Sequence, residues 1–167
     1  IIEQNIVDYQ GNIIEGVQAF DVDMKTEINK KETERQLPVF IAKLDNGTTK
    51  HIFPLHGKGL WGPIWGYVAL NDDMNTIYGC VFAHKGETPG LGAEIDTKDF
   101  QNKFNGKQIF NSNNELVSIK LTKEGQNVIP EHSVDAISGG TITSRGLEEM
   151  IEDCLKMYLN YFKKVNE

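Results

Sequence analysis

Residues 138 to 144 read SGGTITS, which puts two glycines and four hydroxyl side chains in seven positions. The stretch runs into an apolar pattern at helical spacing that begins near Gly146. A helix start leaves backbone N–H groups unpaired and carries a partial positive charge. A phosphate placed there gains hydrogen bonds and a favourable field. Gly139 and Gly140 lack the Cβ atoms that would keep a ligand off the backbone. Ser138, Thr141, Thr143 and Ser144 offer hydroxyls that donate to phosphate oxygens or are esterified by one, and Arg145, one of two arginines, follows directly. The plainer reading of the same residues is a Ser/Gly loop in which a Ser or Thr caps the helix.

Two further stretches have unusual composition. In GETPGLG (86–92), Pro89-Gly90 suits a type II turn, because Pro sets the first φ and Gly accepts the positive second one. The glycines around Glu87 and Thr88 also make a loop that can lie against a flat ligand, with Leu91 against its face. In HGKGLWGPIWGY (56–67), two tryptophans and a tyrosine sit among glycines. Indole rings stack on planar heteroaromatics. The alternative is that the tryptophans fill the core. For Trp65 the core reading is preferred, and Trp61 is left open between the two.

Other chemistries find less support. The four histidines, His51, His56, His84 and His132, show no helical metal-ligand spacing, and His84 with Glu87 lacks a third ligand. No G-x-S-x-G elbow supports a hydrolase, and no G-x-G-x-x-G follows a strand. A net charge of −7 argues against nucleic acid as a partner. Two cysteines, Cys80 and Cys154, are too few for a disulfide framework, and Cys154 lies on an apolar helical stripe as a buried thiol.

The elements that must position these stretches are legible as an α+β pattern. Residues 1–35 are polar and read as a partly helical leading region. LPVFIAKL (37–44), DNGT and HIFPL (51–55) form a hairpin, and GYVAL (66–70) with TIYGCVFA (76–83) forms another. Thr97 caps a short helix carrying Phe100 and Phe104. KQIF, NSNN and LVSIKLT read as a third hairpin, with Val117, Ile119 and Leu121 alternating onto a buried face. Leu147, Met150, Ile151, Cys154, Leu155, Tyr158, Leu159 and Phe162 mark one long amphipathic helix. The expected architecture is a mainly antiparallel sheet packed by helices in a single domain, 1–167, with 1–50 leading into a ligand-binding core at 51–167.

Taken together, DAISGGTITS, HKGETPGLGAEI and PLHGKGLWGPIWGYVAL resemble the motifs of covalent FMN-binding domains, and most of all those of the C subunit of sodium-translocating NADH:quinone reductases (Nqr). The G subunit of Rnf complexes is the near alternative, and a non-covalent FMN-binding module is another. The resemblance implies FMN held by a phosphoester on Thr143. Ser138, Gly139, Gly140 and Thr141 would wrap the phosphate, and Glu87, Thr88, Gly90, Leu91, Gly92 and Trp61 would line the flavin. Gly140 departs from the family pattern, which usually has Ala there. The resemblance also implies other Nqr-type membrane subunits as partners, and a separate flavin transferase that performs the attachment. It places the domain on the periplasmic face of a bacterial inner membrane, in a complex that passes electrons from NADH to ubiquinone and pumps Na⁺. The chain opens at Ile1, and the family's membrane helix is expected upstream of it.

Overall fold

The computed structural model describes all residues from Ile1 to Glu167. Six strands form one antiparallel sheet: β1 (Glu3–Val7), β2 (Ile13–Ile14), β3 (Leu37–Lys43), β4 (Thr49–Lys58), β5 (Pro63–Leu70) and β6 (Ile77–His84), in the order β2-β1-β3-β4-β5-β6. Both hairpins read from the sequence are present, joining β3 to β4 and β5 to β6. The leading region holds the short helix α1 (Met24–Glu27) and also supplies β1 and β2. Its polar composition hides them because they pair at one end of the sheet, where Glu3 to Asn5 remain accessible.

β4 and β5 pair from His51–Leu70 to Lys58–Pro63. This register turns Ile64, Val68 and Leu70 inward and leaves Trp65 and Tyr67 on the outer face. Trp65 is therefore 38% exposed and does not fill the core as expected. The strand's strict alternation, with a period of two, outweighs the size of the indole.

The inner face carries Phe53, Leu55, Ile64, Val68 and Phe82, and these pack against helices α2 (Lys98–Asn102), α3 (Thr141–Lys156) and α4 (Leu159–Val165). Fully burying each such side chain contributes about 1.5–3 kcal/mol. Thr97 caps α2 as expected, its Oγ1 accepting from the Phe100 N–H at 3.3 Å, and Phe100 and Phe104 pack edge-to-face.

Two expectations are corrected. The single long terminal helix is two helices, broken at Met157–Tyr158. Tyr158 is wholly buried and donates its hydroxyl to the Pro38 carbonyl at 2.8 Å, a tertiary bond that no helical periodicity reveals. The hairpin expected over 107–122 survives only as a bridge between Phe110 and Leu116. Ser118 takes a left-handed φ of 56° and turns inward, which breaks the alternation. Only β7 (Lys120–Thr122) is a strand, and it pairs in parallel with β8 (Ser133–Asp135).

Candidate functional site

Three chain segments meet at one end of the sheet. The first is the tip of the β4–β5 hairpin, closed by the Gly59 N–H to the Gly62 carbonyl at 2.8 Å, with Leu60 and Trp61 at its apex. The second is the loop after β6, where the Leu91 N–H donates to the Thr88 carbonyl at 3.1 Å and Gly90 has φ 75°. That is the type II turn expected from Pro89-Gly90. The third is the start of α3.

The helix begins at Thr141, five residues earlier than the apolar stripe suggests. SGGTITS is therefore split. Ser138 and Gly139, with φ 74° at Gly139, form a turn closed by the Gly140 N–H to the Ile137 carbonyl at 3.0 Å. Thr141 to Ser144 form the first helical turn. Gly140 is the N-cap and has no side chain to supply a capping bond, so the reading of this segment as a Ser or Thr cap does not hold. The first intrahelical bond runs from the Ser144 N–H to the Gly140 carbonyl at 2.8 Å. The N–H groups of Thr141, Ile142 and Thr143 precede it and have no intrahelical acceptor.

The four hydroxyls have different fates. Ser144 Oγ accepts from the Ile137 N–H at 3.1 Å and fixes the turn to the helix. Thr143 Oγ1 donates to Glu87 Oε1 at 2.5 Å. Ser138 and Thr141 are exposed, and their hydroxyls have no partner in the protein. Thr143 is 2% exposed, yet it lines a cleft of ≈ 190 Å³ together with Thr88, Gly92, Gly139, Gly140 and Thr141. A Cβ on Gly92 would overlap Thr143 Oγ1 and come within 3.1 Å of Thr143 Cβ, so only glycine lets the loop lie this close to the helix.

Around the mouth stand Leu60, Trp61, Leu91 and Ile142, all exposed, with Trp61 at 68%. Large apolar side chains clustered in the open on a protein surface mark a candidate binding site. Leu60 and Ile142 escape the sequence reading. Their only signals are that Leu60 adjoins Trp61 and that Ile142 interrupts a run of hydroxyl residues at a helix start. Ser138 and Gly90 do not line this cleft; Ser138 faces a separate groove with Asp135 and Lys123. Arg145 is exposed and points elsewhere, towards Leu121 and Gln126.

Glu87 lies beneath the cleft rather than at its mouth. Its Oε1 accepts from the Leu60 N–H at 2.7 Å as well as from Thr143, and its Oε2 accepts from the Trp61 N–H at 2.8 Å. The carboxylate thus binds the hairpin tip to α3. Its own N–H donates to His84 Nδ1 at 3.0 Å, and His84 Nε2 lies 3.2 Å from Asp96 Oδ2. Burial raises the Glu87 pKa, but the hydrogen bonds from the Thr143 hydroxyl and the Trp61 and Leu60 N–H groups outweigh it, and the net shift is downward.

A carboxylate whose pKa is lowered on folding adds stability above its unfolded value, and that stability is lost as pH falls through the folded value. The melting temperature of the wild type should therefore exceed that of Glu87→Gln at neutral pH, and the gap should close as pH drops below the ordinary glutamate value of 4.5. Parallel thermal melts from pH 7 to pH 3 check this, and a gap that stays constant would contradict it.

The cleft offers N–H groups, hydroxyls and glycines, and no Lys or Arg lines it. At ≈ 190 Å³ it is smaller than the roughly 300–1,000 Å³ of sites that enclose a whole cofactor. These dimensions fit a phosphate and the chain attached to it, with a planar ring outside against Trp61, Leu91, Leu60 and Ile142.

Comparison with known proteins follows the same line. Residues 59–156 match the family model of the FMN-binding domain. The C subunit of the Na(+)-translocating NADH-quinone reductase from Haemophilus ducreyi is 37% identical over 163 residues, covering 88% of this chain and 63% of that protein. The protein of the same name from Vibrio anguillarum is 32% identical over 167 residues, covering 90% of this chain and 65% of that protein. The chain thus spans just under two thirds of the length of these relatives. The crystal structure of the corresponding C subunit from Parabacteroides distasonis superposes with a TM-score of 0.87 at 46% identity, covering 97% of this chain and 78% of that one. NqrC from Shewanella oneidensis superposes at 0.82 with 28% identity, covering 98% of this chain and 83% of that one.

Proposed function

The chain belongs to the NqrC family, the C subunits of Na(+)-translocating NADH-quinone reductases, whose FMN-binding domain it contains, and we propose that it is a covalent-FMN electron carrier within such a complex. The observation that carries this reading is the uncapped start of α3, with the Thr143 hydroxyl in its first turn and exposed apolar side chains around it. In this account Thr143 holds the FMN phosphate as an ester. The N–H groups of the first turn of α3 and the hydroxyls of Thr141 and Thr88 solvate its oxygens. Gly92, Gly139 and Gly140 leave room for it, and Trp61 and Leu91 flank the ring. The flavin supplies electron transfer in one- or two-electron steps. The protein's part is to orient it and leave one edge open to a redox partner.

Electrostatics favours the ester over a non-covalent site. A free FMN monophosphate carries about −1.5 to −2 charges at neutral pH, and here it would face a buried, ionised Glu87 with no lysine or arginine in the cleft. Esterification removes part of that charge and makes the attachment independent of concentration. The named relatives are all of the NqrC type, which favours an Nqr complex over an Rnf one. In that complex other membrane subunits would be the partners, a flavin transferase would make the bond, and the whole would couple NADH oxidation to Na⁺ translocation. No helix of this chain is long and apolar enough to cross a membrane, so association with the bilayer would depend on segments or subunits beyond these residues.

The test is to produce the chain with and without a flavin transferase and denature both samples. Flavin fluorescence that stays with the denatured polypeptide only in the first sample supports the ester. Colour released on denaturation supports non-covalent binding instead.

A further inference from the structure

Four buried side-chain nitrogen or oxygen atoms have no hydrogen-bond partner in the protein, and two of them, Arg35 Nε and His56 Nδ1, belong to residues on the wall of one cavity. Buried polar groups left unsatisfied in a native fold call for an explanation, and a missing ligand is one. This cavity, of ≈ 610 Å³, lies between the end of β4 (His56 to Lys58), the second half of α3 (from Glu149) and the segment that follows α1 (Ile28 to Arg35). It shares no residue with the cleft at the start of α3. We propose that it is a second binding site, for a small organic monocarboxylate whose carboxylate pairs with Arg35 and whose apolar body lies against Ile28, Met150 and Met157.

Arg35 sets the sign of the ligand's charge. A guanidinium carries five N–H donors, and here the protein takes up one of them, from Nη2 to the Ile28 carbonyl at 3.4 Å. Arg35 is half-buried and forms no ion pair, although Glu32, Glu149 and Asp153 line the same cavity. A charge withdrawn from water without a partner is costly, and the arginine fork matches the two oxygens of a carboxylate. The other cations stand at the rim: Lys58 is exposed, and the exposed Lys156 is held by Glu152 at 3.2 Å. Burial keeps the His56 ring below its ordinary pKa, so it is neutral at neutral pH and adds no second charge.

The three carboxylates limit the size of that charge. A phosphate dianion at Arg35 would meet the fields of Glu32, Glu149 and Asp153, whereas a single negative charge is balanced by the guanidinium alone. The volume falls in the roughly 300–1,000 Å³ range of small-molecule sites. Met150, which is buried, and Ile28 and Met157, which are half-buried, supply the apolar half of the lining. Methionine side chains are flexible and polarizable, so they mould to an aliphatic body.

The experiment titrates this chain at neutral pH with sodium hexanoate as the probe, against sodium chloride at equal concentration, with sodium acetate and sodium phosphate as comparisons. Thermal melts report binding, and nitrogen-15 correlation spectra follow the arginine Nε–H signals. The chain has two arginines, Arg35 and Arg145, so single variants assign both signals. Hexanoate should raise the melting temperature in step with its concentration, shift the Arg35 signal and leave the Arg145 signal in place. Arg35→Gln should weaken hexanoate binding by about tenfold or more, the loss of one charge-assisted pair. Arg145→Gln should bind as the wild type does. Acetate, which lacks the aliphatic tail, should bind more weakly than hexanoate. Should Arg35→Gln not fold, Arg35→Lys, which keeps the charge and loses the fork, takes its place and should also weaken binding. Hexanoate that leaves the Arg35 signal unmoved, or that stabilises the Arg35 variant as much as the wild type, overturns the proposal. So does acetate that binds as tightly as hexanoate, or phosphate that binds through Arg35 more tightly than either.

Discussion

Thr143→Val made alongside a flavin transferase carries no covalent flavin, while Thr141→Val carries the wild-type amount. Valine matches threonine in shape, so Gly92 and Glu87 keep their packing and only the reacting oxygen is lost. The structural cost is modest. Glu87 Oε1 loses one donor and keeps the Leu60 N–H, worth about 1–3 kcal/mol. For a chain of this length that is roughly 2–4 °C of melting temperature per kcal/mol. A folded protein without flavin is therefore expected, read by in-gel flavin fluorescence beside a thermal melt. Attachment retained in Thr143→Val and lost in Thr141→Val would move the site by half a helical turn.

Gly92→Ala should lower both attachment and stability. The new Cβ would overlap Thr143 Oγ1 and sit 3.3 Å from Glu87 Cβ, so either the loop or α3 must move. Overpacking of this kind costs about 1–3 kcal/mol. It should also slow attachment, since a displacement of about 1 Å in a reacting group costs on the order of 10²-fold. Ala at the exposed Gly86, where a Cβ meets nothing within 4 Å, is the matched control and should change neither quantity. Equal melting temperature and attachment rate in Gly92→Ala would show that the close approach of loop and helix has no functional weight.

The parts of the molecule governed by local periodicity were legible in the sequence. The β3–β4 and β5–β6 hairpins, the Thr97 cap, the Pro89-Gly90 turn and the buried stripe from Leu147 to Phe162 depend on neighbouring residues, and the sequence shows those directly. The misreadings have a common cause in contacts between distant residues. Trp65 faces outward because strand register decides its side. The terminal helix breaks where Tyr158 reaches Pro38, 120 positions away in sequence. The hairpin over 107–122 fails where Ser118 turns inward against the Ile109 carbonyl.

The same division runs through the candidate site. Hydroxyls, glycines and the helix start could be picked out by type and spacing. That Thr143 faces a carboxylate 56 positions earlier could not, nor could the use of Leu60 and Ile142 as the apolar rim. The resemblance set Glu87 along the flavin, because it carries over residue types and not which atom each one touches.

The central claim is that one hydroxyl at the start of α3 carries FMN as an ester. Intact mass of the chain made with a flavin transferase, followed by peptide mapping, tests it most directly. The account predicts a protein heavier than its sequence by one FMN less one water, with the whole increment on the peptide containing Thr143 and on that residue within it. A mass equal to that of the bare sequence under these conditions, or an increment on Ser138, Thr141 or Ser144, would contradict it.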